Sequence, residues 1–318
     1  MKITEHIENA KNKCLFSFEI LPPLKGQGIS SLFKSIDPLI EFKPPFIDVT
    51  YHREEYLFKK RENGLLEKRT VRKRPGTVGI CAAIINRYKV DAVPHLICGG
   101  FSKEETENAL IDLNFLGIDN VLVLRGDHIK SEGTFIPEPD GHKHASELLK
   151  QVKLLNEGKF MDEDLQDSSP SNFCIGVAGY PEKHFEAPNL ETDLKYLKLK
   201  QDLGAEYVVT QMFFDNQKYI QFVENCRKTG ITIPIIPGLK PITTVKQITV
   251  LPSIFHIDIP VELSKAVEKC KNPEEVKQVG IEWSINQSKE LLKYGVPCLH
   301  YYSMGKSDSV KQIASALF

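Results

Sequence analysis

Glu19 is a carboxylate inside an apolar run, SFEILPP, just before two prolines. A carboxylate short of water and of partners favours its neutral form, so its pKa should rise and it could donate a proton near neutral pH. The plainer alternative is a carboxylate paired with a buried Lys or Arg. Asp127 closes VLVLRGD, where Gly126 permits close backbone approach and Arg125 could bind a phosphate or fix the aspartate. The bare tripeptide carries little information. Gln211 lies in VVTQMFFD. A buried amide needs partners at both ends, and a flat heterocycle with adjacent donor and acceptor would supply them. Asp193, Tyr196 and Lys200 are spaced to share one helix face. The alternative there is a surface cluster worth a few tenths of a kcal/mol.

Most of these residues stand at or just past the end of an apolar run. Strands are expected over 15–20, 46–51, 92–97, 120–124, 173–178, 207–212, 233–237 and 299–302. Near-continuous apolar runs of this kind suit parallel strands covered on both faces. Helical patterns lie between them, over 30–41, 103–116, 145–155, 190–203, 216–228 and 274–294. The helix over 103–116 opens with a Ser102–Glu105 capping box and stops at Gly117. Eight strands interleaved with helices favour an α/β fold, a single (β/α)8 TIM barrel with extra loops and helices. A doubly wound sheet is the competitor, but no G-x-G-x-x-G turn follows the first strand and there is no P-loop. In a barrel the strand ends converge on one mouth. Glu19, Thr50, His95, Arg125-Gly126-Asp127, Tyr180, Gln211 and Tyr302 would meet there.

Composition narrows the function classes. The 318 residues carry 41 Lys+Arg and 42 Asp+Glu, a net charge of −1, which argues against a whole-protein role on nucleic acid or anionic membrane. No run reaches the length of a membrane span and the first residues show no apolar signal core. The 7 cysteines form no C-x-x-C pair, so neither a metal site nor a disulfide framework is indicated, and a reducing cytoplasm fits. One segment departs from balance: residues 53–74 hold nine Lys/Arg against four Asp/Glu. A solvated insertion is the preferred reading, with a polyanionic ligand tail or nucleic acid as the sharper one. The stretches 129–141 and 156–172 read as long loops.

The motifs SFEILPP, FIDVTY, VPHLIC, VLVLRGD, GYPEKHFEA, TDLKYLKLKQDLGA, TQMFFD and IPGLKPI, with the His144-Ala145 pair, follow one another along nearly the whole chain. In that order they resemble methylenetetrahydrofolate reductases of the bacterial, catalytic-domain-only type. The resemblance implies a (β/α)8 barrel holding FAD at the strand C-termini. Its implied reaction is reduction of 5,10-methylenetetrahydrofolate to 5-methyltetrahydrofolate by NADH or NADPH, through ping-pong hydride transfer, supplying methyl groups for methionine synthesis. It assigns Glu19 as general acid, Asp127 to flavin and pterin, Gln211 to the pterin, and Thr50 to the nicotinamide side. It matches Tyr51, His95, Arg125, Gly126, His144, Ala145, Tyr180, His184, Asp193 and Lys200 to FAD-contacting positions. Lys306 stands where some members place a folate-contacting Arg, Leu251 falls near an aromatic substrate contact, and His144 replaces a frequent Tyr. The resemblance further implies a homo-oligomer and one catalytic domain over 1–318, without the C-terminal regulatory domain of eukaryotic relatives. The insertion at 53–74 has no counterpart in the shortest bacterial forms. Two other classes stand beside this reading: a non-catalytic FAD- or folate-binding barrel subunit, and nucleic-acid binding through 53–74.

Overall fold

The computed structural model describes residues 1–129 and 132–318. In chain order the strands are β1 (Leu15–Ile20), β2 (Phe46–Val49), β3 (Glu55–Lys60), β4 (Leu66–Val71), β5 (Asp91–Ile97), β6 (Asn120–Leu124), β7 (Cys174–Gly179), β8 (Tyr207–Thr210), β9 (Ile235–Ile236), β10 (Gly238–Leu239) and β11 (Cys298–Tyr302). The helices are α1 (Ile3–Asn9), α2 (Ile29–Ile36), α3 (Thr77–Tyr88), α4 (Lys103–Phe115), α5 (Ala145–Asn156), α6 (Leu190–Asp202), α7 (Asn216–Lys228), α8 (Gln247–Phe255), α9 (Val261–Glu268), α10 (Pro273–Tyr294) and α11 (Asp308–Ser315).

One sheet runs β10-β11-β1-β2-β5-β6-β7-β8-β9, and its paired strands are parallel. β9 pairs with β8 and β10 with β11, so the two short strands are halves of one stave that closes the sheet on itself. Pro237 separates them because it has no N–H to give the ladder, while its carbonyl still accepts from His300 N at 3.2 Å. The result is the expected (β/α)8 barrel, with eight staves built from nine strands.

The barrel interior is packed. Phe46, Val93, Leu122, Cys174, Tyr207, Val209, Ile236 and Cys298 fill its lower part, and Ile3 of α1 joins that cluster. α1 is tied there by Asn120, whose side chain accepts from Ile3 N and donates to Met1 O, both at 2.8 Å. Gly176 faces Tyr207 in the sheet, and a Cβ at Gly176 would run into the Tyr207 ring. A second, larger core lies between the strands and the surrounding helices. All seven cysteines are free thiols, and burial pushes Cys14, Cys98 and Cys226 up to about 12, which leaves them unreactive.

Several elements differ from the sequence expectations. The helix expected over 30–41 ends at Ile36 and tightens into a 3-10 turn, Asp37–Phe42, because Pro38 cannot continue the α-helical ladder. α3 was not anticipated: TVGICAAIINRY is so apolar that its helical period is faint. The 53–74 insertion forms a largely exposed antiparallel hairpin, β3–β4, turned at Asn63-Gly64 with Gly64 at φ +81. Its charges pair internally, Arg61 and Arg69 with Glu67 and Lys73 with Glu55, while Arg53 reaches Glu138. Residues 156–172 form the expected connection from α5 to β7. Of the loop expected over 129–141, residues 130–131 lie outside the described residues.

Candidate active site

Glu19 points into the barrel mouth and is 13% exposed. Thr50, just past β2, donates its hydroxyl to Glu19 Oε1 at 2.6 Å. On the other side Glu19 Oε2 is 3.6 Å from His95 Nε2, which is itself 3.5 Å from Asp48 Oδ2. Lys240, one residue beyond β10, is also buried beside Glu19; burial drives its pKa down to about 8, against the pull of the carboxylate. The isolated carboxylate expected from the sequence is therefore corrected. Glu19 keeps company with a hydroxyl, an imidazole and an ammonium from neighbouring staves, because residues in register across parallel strands present their side chains to the same interior. Burial alone would lower the His95 pKa, yet Glu19 and Asp48 outweigh it and hold it above the ordinary value.

A second group lies over β6, β7 and α6. Arg125 donates to Glu186 Oε2 at 2.5 Å and sits over the Phe135 ring at 5.1 Å. It holds Glu186, not Asp127, because Asp127 turns out to solvent after Gly126, whose φ is +84 and whose Cβ would come 3.1 Å from Ile97. His184 N donates to Asp193 Oδ2 at 2.9 Å, and the His184 ring meets Tyr180 edge-on at 4.7 Å. Burial lowers the Lys200 pKa, with Asp193 opposing and Arg125 reinforcing. Cys98 lies within the field of Glu147, Arg125 and Lys200, so the first turn of α5 and both cations border one place. His144 occupies the N-cap position of α5 with Ala145 following, but the exposed His144 side chain does not cap the helix. Tyr196, grouped with Asp193 and Lys200 by spacing, is 57% exposed and stands apart from them.

Two openings adjoin these groups. A cavity of about 350 Å³ is lined by Tyr51, Thr77, His95, Leu96, Ile97 and Phe101. A small cleft brings Gln211 beside Tyr180, Phe255 and His256. Gln211 Oε1 accepts from Met212 N at 2.9 Å, which leaves the amide N–H2 for another partner. The loop carrying it is pinned by α10, where Gln287 donates to Phe213 O at 3.0 Å and Trp283 to Phe214 O at 3.1 Å. Lys306 is exposed in the turn after β11, with its N–H on Ser303 O.

The sequence model of one family, methylenetetrahydrofolate reductase, matches residues 2–317. The chain belongs to the methylenetetrahydrofolate reductase family. Methylenetetrahydrofolate reductase (NADH) 1 of Arabidopsis thaliana is 32% identical over 97% of this chain, which covers 49% of that protein. The chain thus spans about half the length of several of the relatives it matches. The 5,10-methylenetetrahydrofolate reductase of Salmonella typhimurium is 29% identical, over 99% of this chain and 94% of its own length. Among solved structures, an uncharacterized Clostridium thermocellum protein described as binding two copies of 5-methyl-5,6,7,8-tetrahydrofolic acid superposes with a TM-score of 0.58 at 14% identity, covering 99% of this chain and 97% of that one. That likeness concerns the barrel alone.

Three residues of this reductase-family mouth escaped the sequence reading. Asp48 was absorbed into the apolar run FIDV, although its period-two spacing from Thr50 signals a shared face. Lys240 was hidden in GLKPI, past a stave that a proline breaks. Glu186 gave no signal at all, since its partner Arg125 is 61 residues away. Among the described residues no helix is long and apolar enough to cross a membrane, and no cluster is placed to hold a metal ion.

Proposed function

We propose that this chain binds FAD at the strand ends and reduces 5,10-methylenetetrahydrofolate to 5-methyltetrahydrofolate with NADH or NADPH as the electron source, a product suited to methyl supply for methionine synthesis. The observation that carries the reading is Glu19, a carboxyl group at the mouth of a family barrel, oriented by Thr50 and backed by His95.

The residues present fit the flavin cofactor. A dinucleotide needs cations and free N–H groups for its pyrophosphate and flat surfaces for its rings. Arg125, Lys200 and the first turn of the twelve-residue α5 border one place, with Tyr180 and His184 at its side. Bound FAD supplies a reversible hydride acceptor and donor. Thr50 holds Oε1 of Glu19, so the carboxyl is fixed where it can hand a proton to the folate and open its methylene bridge to an iminium. Gln211 offers its free amide N–H2 to the pterin, and the pinned TQMFFD loop keeps that group in place. Asp127 and Lys306, both exposed at the rim, are left for the pterin edge and the glutamate end of the folate.

Reconstitution tests this reading. The chain with added FAD should show an oxidised-flavin spectrum that NADH or NADPH bleaches without oxygen, and it should form 5-methyltetrahydrofolate in turnover. A chain that retains no flavin, or that bleaches but makes no methyl product, contradicts it.

A further inference from the structure

Asp48 is fully buried, and neither of its carboxylate oxygens has a hydrogen-bond partner among the described residues. His95 Nε2 is unpartnered too, yet it stands 3.5 Å from Asp48 and 3.6 Å from Glu19. A buried charge without a partner is retained at a high cost, so an imidazole proton placed between two carboxylates is the group that relieves it. We propose that Asp48, His95 and Glu19 form a proton-sharing chain, in which His95 Nε2 restores to Glu19 the proton it gives to the folate and Asp48 positions and charges His95. This inference rests on the reductase reading above.

The step conserves atoms and electrons. The O–H bond of Glu19 breaks as an N–H bond forms on the bridging nitrogen, and the electron pair of the breaking C–N bond stays on that nitrogen. The Nε2–H bond of His95 then breaks as an O–H bond forms on Glu19 Oε2. A proton taken up from bulk solvent through the cavity that His95 lines re-forms its Nε2–H bond, a hydronium becoming water, and nothing is oxidised or reduced in the exchange. The overall reaction consumes one proton per turnover, so some such refilling is required.

Other titratable groups face this chain. His300, buried on β11, shares a 2.9 Å hydrogen bond between its Nδ1 and the Ser17 hydroxyl, and Asp48, Glu19 and His95 all act on it. Tyr302 lies in register with Glu19 on the neighbouring strand, Glu19 acts on the Lys240 ammonium, and His95 acts on His52. Burial keeps His52 and His300 below the ordinary imidazole value, while the two carboxylates hold His95 above it. Of the three imidazoles, His95 alone has its value raised, and it is the one set between two carboxylates.

The experiment is single-turnover kinetics of the FAD-loaded chain. Folate-driven reoxidation of reduced flavin is followed across pH, with NAD(P)H-driven reduction as the reference half-reaction. Asp48→Asn keeps the shape and removes the charge, so the Glu19–His95 pair loses its proton sooner. The alkaline limb of reoxidation should move about one pH unit lower, while the profile of flavin reduction stays in place. His95→Gln should shift the same limb, and adding Asp48→Asn to it should cause no further shift. An unmoved limb with a uniformly scaled rate in Asp48→Asn overturns the proposal, and should that variant not fold, an unmoved limb in His95→Gln does so. A wild-type flavin that folate never reoxidises would overturn the reductase reading itself, and the relay with it.

Discussion

At the residue scale, the proposed flavin site makes one carboxylate the group that would set how tightly the cofactor's phosphates are held. Glu186 occupies Arg125, whose hydrogen bond keeps the Glu186 carboxyl below its usual range, and so would shield that cation from a bound phosphate. Glu186→Gln should therefore tighten FAD binding a few-fold, whereas Lys200→Met should weaken it about tenfold or more, the worth of one charge-assisted contact. Fluorescence titration of the apoprotein with FAD measures both, and shifts of the same sign would contradict the assignment. Glu19 was legible in the sequence because a charge interrupts an apolar run. Thr50 and His95 were legible as strand-end neighbours, but Asp48 and Lys240 were not, because the register that sets Asp48 beside Glu19 and the closing of the last stave are tertiary facts.

At the scale of elements, the staves were readable from their apolar runs and their order, but packing rules inside the barrel decide which substitutions they tolerate. Gly176→Ala would force a methyl into the Tyr207 ring, and overpacking of this kind costs about 1–3 kcal/mol. A drop of the urea midpoint at unchanged slope is the expected outcome, and an unchanged midpoint would show that Tyr207 can move aside. The β3–β4 hairpin was read as a charged insertion, and its strands were missed because lysines and arginines obscure the alternation. With Arg61 engaged by Glu67, the adjacent pair Lys59 and Lys60 near the hairpin turn stands without a carboxylate partner among the described residues. Replacing both by Ala should raise KM for polyglutamylated folate and leave the monoglutamate unaffected. Equal KM values would assign the hairpin another role.

At the scale of the whole molecule, the fold holds several histidines below the ordinary imidazole value. His52, His142, His184 and His300 have their pKa lowered, chiefly by loss of water, while His95 alone is raised among the histidines whose values move. A histidine with a depressed folded-state value binds fewer protons folded than unfolded, so its contribution is complete above the unfolded value near 6.5 and is lost as pH falls below it. His95 works in the opposite sense, holding stability below about 6.5 that fades as pH rises. Four histidines against one favour loss of stability in acid, while Glu182, raised to about 7 by burial, opposes them in the same window. With Glu182→Gln removing that opposition, urea midpoints should fall from pH 7.5 to 5.5. A rising midpoint would contradict that balance. The barrel was legible because eight apolar runs alternate with helical stretches. The closure through a stave split at Pro237, and the plug formed by α1, depend on contacts between distant segments that no local pattern announces.

The central claim is that Glu19 donates the proton in the folate half-reaction and has no part in the other. Stopped-flow traces of FAD-loaded Glu19→Gln, without oxygen, test it most directly. NAD(P)H should bleach the flavin within a few-fold of the wild-type rate, and 5,10-methylenetetrahydrofolate should recolour it at least about a hundredfold more slowly, the typical worth of a positioned general acid. Equal losses in both half-reactions, or full recolouring by the variant, would contradict the account.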